Sequence, residues 1–342
     1  MPRRKPHSPS LIALLGVLAT ALSAPGLQGQ ELVDQIRTLA FENAEGYVAP
    51  VGRSLAHALS DGFADRAAPL SALGFELGVR VVGARVPADG RSFPVVLPDS
   101  IRVQHPQLGQ QVYLDPYRPR EGALESPTAA GDGSGIVLVP AGRFEEDILA
   151  EGLDPSSPEF QLTLPDGLGL SLVPGLSFHA GLGLGMATEV TLHFLPGTEI
   201  SPEIGHARAH GLGVRHQVSS WLPSPVDLTV AAGYQQATAG EYLEASAWHY
   251  GLQGGLKVGP LSFFAGSQMR RASTRLTFLV EPPSGSVALP GMDGEVDIEV
   301  RGDRSPAWLL GANLQLLVLN LSGHYSFGSH DVFSLKLGLG LP

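Results

Sequence analysis

The chain has no cysteine in its 342 residues, which excludes disulfides, thiolate metal sites and cysteine nucleophiles. It is also short of charge: Asp, Glu, Lys and Arg make up 16% of it, against about 25% in ordinary soluble proteins. The basic sign is the scarcer, with 22 Lys and Arg against 33 Asp and Glu and a net charge of −11. No basic field exists to hold a phosphate backbone, so nucleic acid is excluded as a partner. Long apolar runs are missing too. After the first residues no stretch reaches the ~20 apolar residues a helix needs to cross a bilayer, so any membrane crossing falls to strands.

What is present begins with Arg3, Arg4 and Lys5 ahead of an apolar stretch over residues 11–22, closed by the small residues Ala19, Ala21, Ser23 and Ala24. This order predicts a cleaved secretory signal peptide over residues 1–29. Residues 30–65 carry apolar positions at helical spacing, first Leu32, Val33, Ile36, Leu39 and Ala40, then Val51, Leu55 and Leu59. Two short amphipathic helices are expected, serving as a cap over one end of the fold or as a plug within it.

From Leu73 the period changes to two. Phe75, Leu77, Val79 and Val81 alternate with Glu76, Gly78 and Arg80, the mark of a half-buried strand. Residues 87–135 are broken by Pro, Gly and Asp and read as a long loop with at most one hairpin. A short helix is expected near residues 144–153, and Phe160, Leu162 and Leu164 then alternate again. Beyond Leu176 the alternation is regular to the end, as in Leu176, Phe178, Ala180, Leu182 and Leu184, or Phe333, Leu335, Leu337, Leu339 and Leu341. A soluble sandwich alternates in the same way. Strand length separates the two, because the segments over residues 308–317 and 333–341 reach the ~9 to 11 residues that cross a bilayer at a tilt. Aromatic sorting agrees: Tyr234, Trp248, Trp308, Tyr325, Phe327 and Phe333 gather towards one rim, Trp221 and Phe263 towards the other, as two girdles would. The expected fold is an all-β, antiparallel transmembrane β-barrel of about 12–14 strands over residues 66–342, with short N-terminal helices.

The polar face of these strands carries Glu189, His193, Arg215, Gln235, His249, Gln253, Lys257, Gln268, Asn313, Gln315, His324 and Lys336. Mixed charge is costly against lipid, so this register predicts a lumen lined by these residues. They would form either a hydrogen-bonded polar core or a solute pathway. No catalytic, metal or cofactor site is expected. His206 and His210 stand four apart but in a strand pattern with no Glu between them. Ser329, His330 and Asp331 are contiguous, whereas triad members converge from separated positions. The glycine-rich runs at 181–185 and 211–213 lead into no helix and carry no P-loop lysine. Arg301-Gly302-Asp303 matches an adhesion tripeptide too short to carry meaning.

The blocks Gly46-Tyr47-Val48-Ala49-Pro50, Leu73-Gly74-Phe75-Glu76-Leu77 and Thr188-Glu189-Val190-Thr191-Leu192-His193-Phe194 occur in this order. They are followed by Gly211-Leu212-Gly213-Val214-Arg215-His216, Trp221-Leu222-Pro223 and Pro225-Val226-Asp227-Leu228. In this the chain resembles a family of signal-peptide-bearing Gram-negative proteins with a domain of unknown function, expected to be outer-membrane barrels. Its general plan also looks like the long-chain fatty acid transporter class, in architecture only. The resemblance implies residence in the outer membrane, with outer-membrane lipid and the barrel-assembly machinery as partners. Two functions are expected from the residues: a conduit for a small or apolar solute, or a non-conducting structural or surface-interaction barrel. A periplasmic sandwich is the alternative fold, and enzymatic activity is not expected.

Overall fold

In the computed structural model, residues 41–201, 205–221, 224–280, 287–288, 294–302 and 304–341 are described. The expected signal peptide and the first of the two expected helices lie outside them. The second expected helix is the later part of one longer helix, α1 (Phe41–Ser60), which contains Pro50. A proline inside a helix costs about 3 kcal/mol, and packing offsets it here. Tyr47, Val48 and Ala49 are buried, the Phe93 ring covers Gly46, and Thr274 donates its hydroxyl to the Gly52 carbonyl at 2.8 Å.

Strand β1 (Phe75–Arg85) follows, and then a folded insertion: β2 (Ser92–Pro94), β3 (Ser100–His105), β4 (Gly109–Leu114), β5 (Tyr117–Pro119), β6 (Glu125–Pro127), β7 (Val137–Pro140), α2 (Gly142–Ala150) and β8 (Leu162–Thr163). The long loop expected over residues 87–135 is therefore corrected to a small domain of short strands. Each run is too short to show a period, yet together they bury Ile101, Val103, Tyr113, Tyr117, Leu138, Phe144, Ile148 and Phe160 in one core. That core also takes in Tyr47 and Val48 of α1 and Leu276, Ile298 and Val300 of later strands. Phe144 is its centre, with the Tyr113, Tyr117 and Phe160 rings at 4.8, 6.0 and 6.2 Å.

The remaining strands, all but β15 and β16 in the barrel, are β9 (Leu172–Gly185), β10 (Thr188–Ser201), β11 (Gly205–Gln217), β12 (Asp227–Ala239), β13 (Leu243–Val258), β14 (Leu261–Val280), β15 (Val287–Ala288), β16 (Gly294–Arg301), β17 (Ser305–Leu316), β18 (Leu319–Gly328) and β19 (Val332–Leu341). Every barrel neighbour is antiparallel. The order runs β1-β9-β10-β11-β12-β13-β14-β17-β18-β19 and returns to β1 through Phe75↔Leu341 to Ala84↔Val332. The barrel fold holds, but the described residues close it with 10 strands rather than about 12–14. Segments that look like further members belong elsewhere. The 20-residue β14 is about 66 Å long at ~3.3 Å per residue, far more than a membrane band needs. Its first half pairs with β17, and from Ser273 onward it pairs with β16 above the barrel. The alternation around Leu162 goes to the small domain, and β15 pairs with β3 there.

One barrel end has tight turns, at Met186-Ala187, Gly259-Pro260 and Leu317-Val318; the other carries the small domain and the tall β14–β16 hairpin. Met186 and Ala187 both have positive φ, 49° and 54°, as a type I′ hairpin turn requires. The side-chain sorting is inside out for a soluble protein. Leu77, Leu182, Leu192, Leu212, Leu252, Leu310 and Leu335 are exposed, whereas Glu76, Arg80, Glu189, Arg215, Arg270 and Lys336 are buried. A sandwich would bury its leucines; an apolar band of this size needs a lipid solvent.

Candidate functional site

The barrel interior is organised by residues 61–74, which leave the end of α1 at the domain-bearing end and descend to the turn end. There the Leu73 amide donates to the Gly183 carbonyl at 2.9 Å. Asp61 is met first: its carboxylate lies 3.0 Å from Arg270 Nη2 and 2.5 Å from His324 Nε2. Next, Phe63 is sandwiched between two imidazoles, His193 at 4.2 Å and His249 at 4.5 Å, both within 19° of parallel. Asp65 then binds Lys336 and Arg215, the latter at 2.9 Å. Arg66 reaches Glu76 at 2.9 Å, and Glu76 also holds Lys336. Glu189 closes the set, accepting from Arg215 at 2.7 Å and from the Leu70 amide at 2.8 Å.

The backbone of the segment is satisfied by the wall as well. Gln253 donates to the Arg66 carbonyl at 2.6 Å, Thr229 to that of Ala67 at 3.0 Å, and Ser322 to that of Asp65. An irregular chain can lie at membrane depth only with such partners. Two inward glycines make room for it. A Cβ on Gly213 would lie 2.3 Å from the Phe63 ring, and one on Gly183 would lie 1.8 Å from the Ser71 carbonyl oxygen. Gly213→Ala is thus expected to cost about 1–3 kcal/mol as overpacking. Loss of heat-modifiable gel mobility at a lower temperature than the parent would register it, and an unchanged profile would mean that Phe63 is loosely held.

The lumen residues expected from the sequence all sit on inward positions. Glu189, His193, Arg215, Gln235, His249, Gln253, Gln268, Asn313, His324 and Lys336 are buried. Lys257 is exposed and Gln315 half-buried, both beside a shallow cavity of about 100 Å³ at the turn end. What sequence reasoning missed is the segment that fills the space, above all Asp61, Phe63, Asp65 and Arg66, together with Glu76, Arg80, Arg270 and His179. A signal was there: Asp61, Asp65 and Arg66 follow the helix without its period, and the strands facing them carry opposite charges. His206 and His210 are exposed on β11; four strand residues separate them by about 13 Å, too far to share one ion. Tyr325 donates to Asp331 at 2.8 Å, while His330 Nδ1 is 3.5 Å from Ser329 Oγ.

Asp65, Glu76 and His179 present ligand atoms within 4.8 Å of one another. A metal ion there would meet the Lys336 ammonium and the Arg66 and Arg215 guanidiniums, which already neutralise both carboxylates. The donor set fits an ion-pair core and not a cation site.

An apolar exterior, a closed antiparallel ladder and a filled polar interior together define a transmembrane β-barrel. The chain belongs to the Family of unknown function (DUF6588), matched over residues 8–341. No curated protein matches it significantly. Among solved structures it is similar to the outer membrane protease OmpT of Escherichia coli, at 8% identity and TM-score 0.32, covering 78% of this chain and 96% of that one. It is also similar to the translocator domain of the autotransporter NalP of Neisseria meningitidis, at 11% identity and TM-score 0.28, covering 89% and 99%. A third is the in-vitro folded outer membrane protein OmpT of Vibrio cholerae, at 10% identity and TM-score 0.23, covering 78% and 98%. The barrel is defined by its own closed hydrogen bonding, not by these likenesses.

Proposed function

We propose that the protein resides in the outer membrane as a sealed barrel that holds its folded insertion, residues 86–171, at the cell surface and passes no solute while residues 61–74 fill the lumen. One observation carries this reading: residues 61–74 run the length of the lumen with ion pairs or hydrogen bonds to β1, β10, β11, β12, β13, β14, β18 and β19. The shared core of α1 and the insertion covers the mouth above them. Short turns face the periplasm in such barrels and longer segments face outwards, which orients the insertion to the outside. Outer-membrane lipid and the barrel-assembly machinery are the partners this residence requires.

A conduit is the second reading. It is supported by the polar wall, where both ring nitrogens of His249, Arg215 Nε and Gln253 Oε1 have no hydrogen-bond partner. A barrel of 10 strands whose lumen is occupied gives it less room than one of 12 or more. It would need residues 61–74 to withdraw.

The absence of cysteine gives a clean test of the orientation. A membrane-impermeant thiol reagent on intact cells is expected to label Ala123→Cys in the insertion and to label Met186→Cys only after lysis. The reverse pattern would overturn surface display.

A further inference from the structure

At the domain-bearing end a cavity of about 290 Å³ opens between α1 and the barrel wall, bounded by Arg53, His57, Arg301, Ser305, Ser329 and His330. It is separate from the ion-pair core and has room for a small ligand with water, since a liquid water takes up about 30 Å³. We propose that this cavity is a binding site for a small tetrahedral oxyanion of the sulfate or phosphate type.

The donors point to that chemistry. His57 is only 4% exposed and forms part of the cavity wall. Its ring stacks on that of His330 at 4.2 Å and 19°, so the two imidazoles present their edges side by side. Arg301 is occupied by Glu299 through two contacts of 2.8 Å. Arg53 has no ion-pair partner among the described residues and supplies the free guanidinium. Ser305 and Ser329 add hydroxyl donors, and among the described lining residues none is a carboxylate. Two guanidiniums repel a metal ion, whereas an oxyanion accepts from the Arg53 guanidinium, the serine hydroxyls and an imidazole N–H.

The charges around the imidazoles make binding sensitive to pH. Burial pushes His57 down to about 3, helped by His330 and Arg270 and opposed by Asp61. Burial also brings His330 down to about 4, helped by Arg53 and Arg270 and opposed by Asp89 and Asp331. Both rings are therefore neutral near neutrality in the empty cavity. A bound anion favours imidazolium, so binding takes up protons and tightens as pH falls.

The test is calorimetric titration of the refolded full mature chain in detergent with sodium sulfate at fixed ionic strength. Saturable binding is expected at pH about 5.5, weakening about tenfold or more by pH about 8 as the imidazolium form is lost. Arg53→Gln and His330→Gln should each weaken it about tenfold, the loss of one charge-assisted hydrogen bond, with heat-modifiable mobility intact. Phosphate should compete with sulfate, and heats compared between two buffers should show proton uptake that His330→Gln reduces. Absence of saturable heat, parental affinity in both variants, or affinity independent of pH would overturn the site.

Discussion

Asp65→Ala is expected to lower the stability of the barrel by about 3–5 kcal/mol, the cost of leaving buried charges without a partner. Asp65 faces Lys336, Arg215 and Arg66, all buried. Glu76 and Glu189 cannot cover for it, since Glu76 already serves Lys336 and Arg66 and Glu189 already serves Arg215. The ammonium and two guanidiniums would then repel one another at a depth water reaches poorly. Asp65→Asn keeps the shape and loses the charge, and should fall between the parent and Asp65→Ala. Asp99→Ala, on an exposed residue of the insertion, should stay within about 0.5 kcal/mol. Urea midpoints followed by heat-modifiable mobility in detergent would rank the three. Equal midpoints for Asp65→Ala and Asp99→Ala would mean that the lumen is hydrated and the ion pairs are incidental.

Leu335→Arg is the second large effect, about 2–4 kcal/mol for a cation near the midplane of the lipid face. Leu335 is 56% exposed, opposite Val81 on one side and Gly323 on the other, well inside both ends of β19. Leu114 in β4 is even more open at 75%, but it belongs to the insertion, where exposure means water. Leu114→Arg should be neutral or mildly favourable. Yield of folded protein in membranes and refolding into lipid vesicles would compare them, and similar losses in both would contradict the assignment of lipid and water faces.

Those two leucines show what the sequence made legible and what it did not. Alternation along β19 told which side chains point out, because the period of a strand needs no partner to be seen. Burial on the polar face was readable for the same reason, as at Glu189 in β10 and Lys336 in β19. Strand number was not, since β16 alternates like its neighbours and differs only in pairing with the far half of β14. Short apolar runs such as Ile101 and Val103 read as loop because their core is assembled from α1, the insertion and β14 together. Residues 61–74 have no period at all; their conformation is dictated by partners more than 100 residues away, as in Leu70 with Glu189 or Asp65 with Lys336. No local pattern could reveal that.

The seal itself is tested most directly by planar-bilayer recording. The mature chain is expected to insert without step conductance under voltage, because Asp61, Phe63, Asp65 and Arg66 occupy the lumen. A chain lacking residues 41–70 that retains heat-modifiable mobility should open a pore with discrete steps. Stable ohmic steps from the unmodified chain, equal to those of the truncated one, would contradict the sealed barrel.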